Sequence, residues 1–347
     1  MEIITLIDNV SLDSNFTKTA NENLVSPPPQ WQYDFVGTFY FFLALPSFTL
    51  HTVVLTSVIK THNCLNFYPP FYILIINHYA ADILKTLFYI LYACPCIWTR
   101  SQIYGHLAGA ILGELESVDY CVVLFSTFLM SLNRALAIGA PKLNEKVFAT
   151  KLTIGYNVLC WLGGAFVSAI NRAQMCGTVL LVHKFVFSTV CARAPAASPG
   201  AFIVYVFVYG VAAFYVFALR KLAKHGKRVH SNYISIRMKT HQIRLFFQAM
   251  AIWMGVLGNA IAFRIIPLFT PSLGTVMATG AVIIGQSYIT PVCMLIFVQD
   301  VREGVWKLFE FHNQSTQTPV HRISPATHCP NDNYKSNTPN FNQVSRF

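Results

Sequence analysis

Four acidic residues, Asp82, Glu114, Glu116 and Asp119, stand inside runs of apolar residues that otherwise carry almost no charge. An ionisable group at the centre of a membrane helix costs about 2.5–3.5 kcal/mol on insertion scales, so each is a candidate for ligand contact or ion pairing. Helical geometry sorts them. Glu116 precedes Arg134 by 18 residues, five whole turns, which puts the two on one face about 27 Å apart. Asp119 lies about 60° to one side of Glu116 and Tyr120 about 40° to the other. Glu116, Asp119 and Tyr120 therefore form one patch, whereas Glu114 points roughly the opposite way and is expected at the outer interface. The patch suits a cationic or hydrogen-bonding small molecule. It equally suits an interhelical ion pair with Arg264, at similar depth, and such a pair could open when ligand binds. A second polar group surrounds Asp82, with His78 one turn before it and Lys85 three residues after, within salt-bridge reach on a helix.

No nucleophile-base motif, phosphate loop or metal-ligand constellation accompanies these residues. The chain is therefore expected not to be an enzyme and to carry no cofactor and no metal.

The elements that must position these side chains are membrane helices. Of 347 residues, 54% are hydrophobic and 11% charged, against about 25% charged in soluble domains. The net charge of +11 falls in short clusters between apolar runs, which argues for orientation signals and against a nucleic-acid partner. A bilayer core needs about 20 apolar residues per helix, and seven stretches qualify: 36–59, 70–97, 105–138, 148–170, 200–220, 244–269 and 275–299. The expected fold class is an all-α seven-transmembrane-helix bundle. Its expected parts are an extracellular tail over 1–35, the membrane domain over 36–299, a short amphipathic helix over 300–312 and a disordered cytoplasmic tail over 313–347. No cleavable signal peptide precedes the first span, which is expected to serve as the insertion signal itself.

Lys and Arg set the orientation, because cytoplasmic loops hold the excess. With the amino terminus outside, the inner segments hold fifteen, among them Lys60, Lys142, Lys146, Lys151 and eight from Arg220 to Arg244; the outer segments hold five. Two glycosylation acceptors, Asn9 and Asn15, then lie outside, as usable sites must. Cys94, Cys96, Cys176 and Cys191 fall on the same oxidising side. A disulfide could join Cys94 or Cys96 to Cys176 or Cys191, or link the last two. Cys121, Cys160 and Cys293 lie in apolar helices and read as small core residues.

The third span ends in "FSTFLMSLNRALAIGAP", which resembles the end of the third helix of rhodopsin-like receptors, where an acid-Arg-Tyr triplet precedes Ala-Ile and a proline. Here the triplet is Asn133-Arg134-Ala135. With "YCVVLFSTFLMSLNRALAIGAPKLNEKVF", "FYILIINHYAADILKTLF" in the second span and Trp161 in the fourth, the chain is most similar to the nematode serpentine chemoreceptors of class x. The likeness runs from Val36 to Lys307. The sequence departs from the wider rhodopsin-like pattern in three places: Ala135 replaces the usual aromatic, Thr290-Pro291-Val292-Cys293-Met294 replaces Asn-Pro-x-x-Tyr, and no Trp-x-Pro surrounds Trp253.

The resemblance implies a G-protein-coupled receptor in the plasma membrane, in a sensory cilium, with a small-molecule ligand and a heterotrimeric G protein as partners. Coupling would fall to Asn133, Arg134, Arg220, Lys221 and Lys224, with Arg134 snorkelling to the interface to meet the partner; the basic segment also touches anionic membrane lipid. Asp82 matches an aspartate that binds sodium in many rhodopsin-like receptors, but an ammonium at Lys85 would neutralise it, so no sodium site is expected. The competing reading is a small-solute transporter or channel subunit, with Asp82, Glu116 and Asp119 lining a path; a receptor-like protein that no longer signals is a third.

Overall fold

The computed structural model describes residues 28–63, 70–174, 176–191, 199–226, 233–266 and 273–315. Within these ranges, the side chains at 61–63, 106, 189, 191, 199–205, 222–226, 233–242, 263–264 and 309–315 are not described. Asn9 and Asn15 lie outside the described residues, as does the tail beyond Ser315.

The helices, in chain order, are α1 (Gln30–Asn63), α2 (Pro70–Phe88), α3 (Cys94–Trp98), α4 (Gly105–Gly139), α5 (Pro141–Val147), α6 (Thr150–Ala173), α7 (Pro199–Gly226), α8 (Tyr233–Ile265), α9 (Leu273–Phe297) and α10 (Gln299–Ser315). A hairpin of β1 (Cys176–Leu181) and β2 (Val186–Cys191) separates α6 from α7. Six helices are long and apolar enough, among the described residues, to cross a membrane, with α2 and α3 acting as one. α7 completes the seven-helix bundle. At every span the helix and the apolar run coincide, but α8 starts eleven residues before its expected span and α7 ends six residues after its own. Lys221, Lys224, Arg237 and Lys239 occupy these extensions. Hydropathy sees only the part of a helix in hydrocarbon, whereas good helix formers such as Lys and Arg carry it on into water.

The second crossing changes pitch at a π-turn, Tyr89–Ala93. Pro95 has no N–H to give the carbonyl of Leu91 and its ring crowds that carbonyl, so the ladder loosens. Cys94 N–H reaches back to Tyr89 O, and the freed Leu91 carbonyl accepts a hydrogen bond from the Tyr104 hydroxyl at 2.7 Å. The extra residue turns Tyr89 and Tyr92 inward, where both are buried.

α4 is the central post. It touches α2, α6, α7, α8 and β1. Three apolar clusters fill the bundle. One lies at the Arg134 end and includes Phe71, Met130, Tyr215, Phe246 and Met294. A second lies in the middle, around Val122, Leu124 and Cys160. The third, at the hairpin end, joins Tyr40, Tyr89 and Tyr92 to Leu180, Phe185 and Phe187 of the hairpin. Polar pins link neighbours: Trp161 Nε1 donates to Asn77 Oδ1 at 2.9 Å, Asn157 Nδ2 to Ile73 O at 3.0 Å, and Tyr40 hydroxyl to Val276 O at 3.1 Å. α10 lies against α1, where Ser57 Oγ donates to Val301 O at 3.0 Å, while Trp306 stays exposed. That is the division expected of an interfacial helix.

The hairpin is seated by Glu114. Its Oε1 accepts Arg172 Nε at 2.7 Å and the Thr178 N–H at 3.2 Å, and its Oε2 accepts the Ser168 hydroxyl. The placement expected from helical phase therefore holds, with a partner set that phase does not reveal. Gly113 makes the approach possible, since a Cβ there would collide with the Thr178 carbonyl. At the tip, burial and then the neighbouring Lys184 ammonium hold the His183 imidazole below its ordinary value. Arg172 is 46% exposed, so its charge adds little, but the two buried hydrogen bonds to a carboxylate together contribute on the order of 2 kcal/mol. Glu114→Ala should speed amide exchange across Cys176–Leu181 by about tenfold or more, and Ser168→Ala by less, as read by hydrogen exchange of the full chain in lipid.

Candidate functional site

The acids found in the sequence as two groups share one electrostatic neighbourhood centred on Lys85. Asp82 on α2 is almost wholly enclosed. Lys85 Nζ lies 3.4 Å from its Oδ1, and the Nε2 atoms of His51 and His78 lie 3.4 and 3.5 Å from its Oδ2. His51 comes from α1 and is held by Ser47, whose carbonyl accepts its Nδ1–H at 2.7 Å. His78 Nδ1 sits 3.0 Å from Ser126 Oγ on α4. Three nitrogen groups thus surround one carboxylate, in a place too dry to leave any of them to water.

Glu116 and Asp119, on α4, lie within electrostatic range of the same ammonium. Lys85 interacts electrostatically with both, and Asp119 also feels Asp82. Asp119 is fully buried and neither of its oxygens has a hydrogen-bond partner. Tyr120 is half-buried beside it. The residues Glu116, Asp119 and Tyr120 are therefore brought together, and His78, Asp82 and Lys85 join them. Arg264 belongs to α8, but its side chain is outside the described residues, and so is any pairing with the α4 acids. Sequence spacing missed His51, because a contact between two helices leaves no mark in the periodicity of either. Its signal was a lone histidine in an apolar span.

A free sodium ion at Asp82 would meet Lys85 and two imidazoles within 3.5 Å. Sodium is therefore expected to leave ligand affinity unchanged when exchanged for an equal concentration of choline, in the wild type and in Asp82→Asn alike. A sodium-dependent shift present only in the wild type would refute this.

At the opposite end, Arg134 departs from expectation. It does not snorkel. It is 5% exposed, with its guanidinium 4.2 Å from the centre of the Phe71 ring and its Nε and Nη2 donating to Asn133 Oδ1. Asn133 Nδ2 in turn donates to Asn144 Oδ1 of α5 at 3.0 Å. Phe71, at the first turn of α2, offers its π face to the buried guanidinium. Ser131 Oγ donates to the Tyr215 hydroxyl at 2.9 Å, locking α4 to α7 one turn away. Arg220 is exposed and Lys221 half-buried, 5.7 Å over the Phe217 ring. The side chain of Lys224 lies outside the described residues.

The cysteines resolve in part. Cys94 and Cys96 are buried free thiols, which removes both from the bridge candidates. The π-turn faces them into the packed core of the hairpin end, away from an exposed partner. Cys176 is disulfide-bonded, and Cys191 stands directly opposite it in the strand register. Cys121, Cys160 and Cys293 are buried free thiols, as read from their apolar surroundings.

These features can be set beside known proteins. Residues 41–286 match the family model of the serpentine type 7TM GPCR chemoreceptor Srx. No curated protein matches the chain. Among solved structures, squid rhodopsin superposes with a TM-score of 0.69 at 15% identity, over 87% of this chain and 95% of that one. This likeness is one of fold alone. With the family model spanning most of the chain and the seven-helix bundle in place, the chain belongs to the Srx family of serpentine seven-transmembrane chemoreceptor GPCRs.

Proposed function

We propose that this receptor is chemosensory: an external small molecule engages Glu116, Asp119 and Tyr120, and the response is passed to a heterotrimeric G protein at the face formed by Asn133, Arg134, Arg220, Lys221 and Lys224. The amino terminus and the hairpin lie outside, in line with the excess of Lys and Arg on the Arg134 side. The receptor works in the plasma membrane, and the family suggests a sensory cilium.

One observation carries this reading. Asp119 is an acidic side chain with no exposure and no hydrogen bond to either oxygen. Such a group is costly to bury, and a structure that keeps one beside a half-buried acid and a shared ammonium holds a donor-hungry position for an incoming molecule. A ligand that donates to Asp119 takes part of the Lys85 ammonium's role, and the arrangement it binds more tightly gains population. The test is a G-protein signalling panel of small water-soluble and volatile compounds on wild type, Asp119→Asn and Glu116→Gln at matched surface level. An agonist acting on the wild type should lose about tenfold in potency in at least one variant, the worth of a buried hydrogen bond. Equal potency in all three would remove the patch from ligand binding.

A further inference from the structure

A groove of about 900 Å³ runs along the seam between α8 and α9, and none of the residues lining it is charged. One wall of it carries a run of small residues, over which the Ile289 side chain of α9 leans at Gly255. Ala251, Gly255, Gly258 and Ala262 recur at helical spacing on α8 and give one small-residue stripe about 16 Å long. Gly285 faces it from α9. A Cβ added at Gly258 or at Gly285 would meet nothing within 4 Å, so both glycines border open space. Phe247 and Phe297 close the Arg134 end.

One polar pair interrupts this surface. Asn259 Nδ2 donates to Gln286 Oε1 at 2.6 Å, and both amides line the groove. Asn259 is 3% exposed, and its Oδ1 is buried without a hydrogen-bond partner. An acceptor left unpaired at this depth is costly in hydrocarbon, which has no donors of its own. The pair sits toward the hairpin end of the groove, with Phe247 twelve residues, about 18 Å, further along α8 toward the Arg134 end.

We propose that this groove binds a sterol from the leaflet on the hairpin side, its hydroxyl donating to Asn259 Oδ1 and its rigid ring system lying in the open space between Gly258 and Gly285. The chemistry selects this occupant. A phospholipid head brings charges for which the groove has no counter-charge, and its flexible acyl chains carry no donor for Asn259 Oδ1. A sterol brings a neutral donor at one end and a rigid apolar face along the rest. This site lies apart from Glu116 and Asp119, and the proposal stands whether or not those residues bind the chemosensory ligand.

The experiment uses the full-length receptor in phosphatidylcholine vesicles containing a diazirine-bearing sterol, with crosslinked peptides mapped by mass spectrometry. Labelling of α8 and α9 peptides is expected, with competition by unlabelled sterol and loss in Gly258→Leu and in Gly285→Leu, which fill the groove from opposite sides. Asn259→Leu should lower labelling about fivefold, as loss of one hydrogen bond implies. Equal labelling of the same peptides by a diazirine phosphatidylcholine overturns the proposal, as does undiminished labelling in a folded groove-filled variant. The comparison of the two probes on the wild type needs no variant to fold.

Discussion

Lys85→Met should be among the most damaging single substitutions in the receptor, costing on the order of 3 kcal/mol of stability and most of the folded yield. The ammonium is 3.4 Å from Asp82 and is the cation that Glu116 and Asp119 also feel. Removing it leaves carboxylates in a low-dielectric interior with only imidazoles to answer them. Removing both partners of a buried pair is far gentler than removing one. The double variant Lys85→Met/Asp82→Asn should therefore recover much of the loss, a non-additivity read directly from thermal midpoints in detergent. If the two single effects simply add, Lys85 is not the hub of the network and the Asp82 contacts are incidental.

Phe71→Leu should raise signalling in the absence of ligand. Arg134 is kept inside the bundle by the Phe71 ring and by Asn133 Oδ1, and a partner that needs the guanidinium must first draw it out. A desolvated cation–π contact contributes about 1–2 kcal/mol, so its loss shifts the equilibrium toward the exposed arrangement by about tenfold. Basal G-protein activity at matched surface level measures this. Arg134→Ala in the same background should abolish it, because the released group is then missing. Unchanged basal activity in Phe71→Leu would mean that the latch lies elsewhere, with the Ser131–Tyr215 hydrogen bond the next contact to break.

The latch differs in kind from an acid-arginine pair. Asn133 has no proton to gain between pH 5 and 8, so a basal signal raised by Phe71→Leu should vary little with cytoplasmic pH.

The sequence was most legible where a property repeats along one helix. Apolar length placed all the crossings, and five whole turns put Glu116 and Arg134 on one face of α4. The same phase argument turned Glu114 away from Glu116, but its partners on α6 and the hairpin were not readable from it. Legibility ended where one helix meets another. Nothing in α1 alone says that His51 will face Asp82, and nothing in α2 alone says that Phe71 will cover Arg134. The snorkelling expectation for Arg134 failed for that reason: depth along a helix can be counted, but the alternative to water is supplied by a neighbour. The cysteines illustrate the same boundary. Cys94 and Cys96 share the hairpin side with Cys176, but the π-turn, which follows from Pro95, points them into packed core.

That π-turn has a kinematic meaning. One added residue advances the helical phase by about 100°, so the second crossing is two rods joined by a fixed angular offset. The inner rod, Pro70–Phe88, is indexed to Asp82 and Lys85, and the outer rod, Cys94–Trp98, to Thr38 on α1 through the Trp98 indole N–H at 3.3 Å. With the offset absorbed at Tyr89–Ala93, the cap can be re-cut for a different molecule without retiming the charged centre below it. Deleting a single residue there would turn both halves out of register at once.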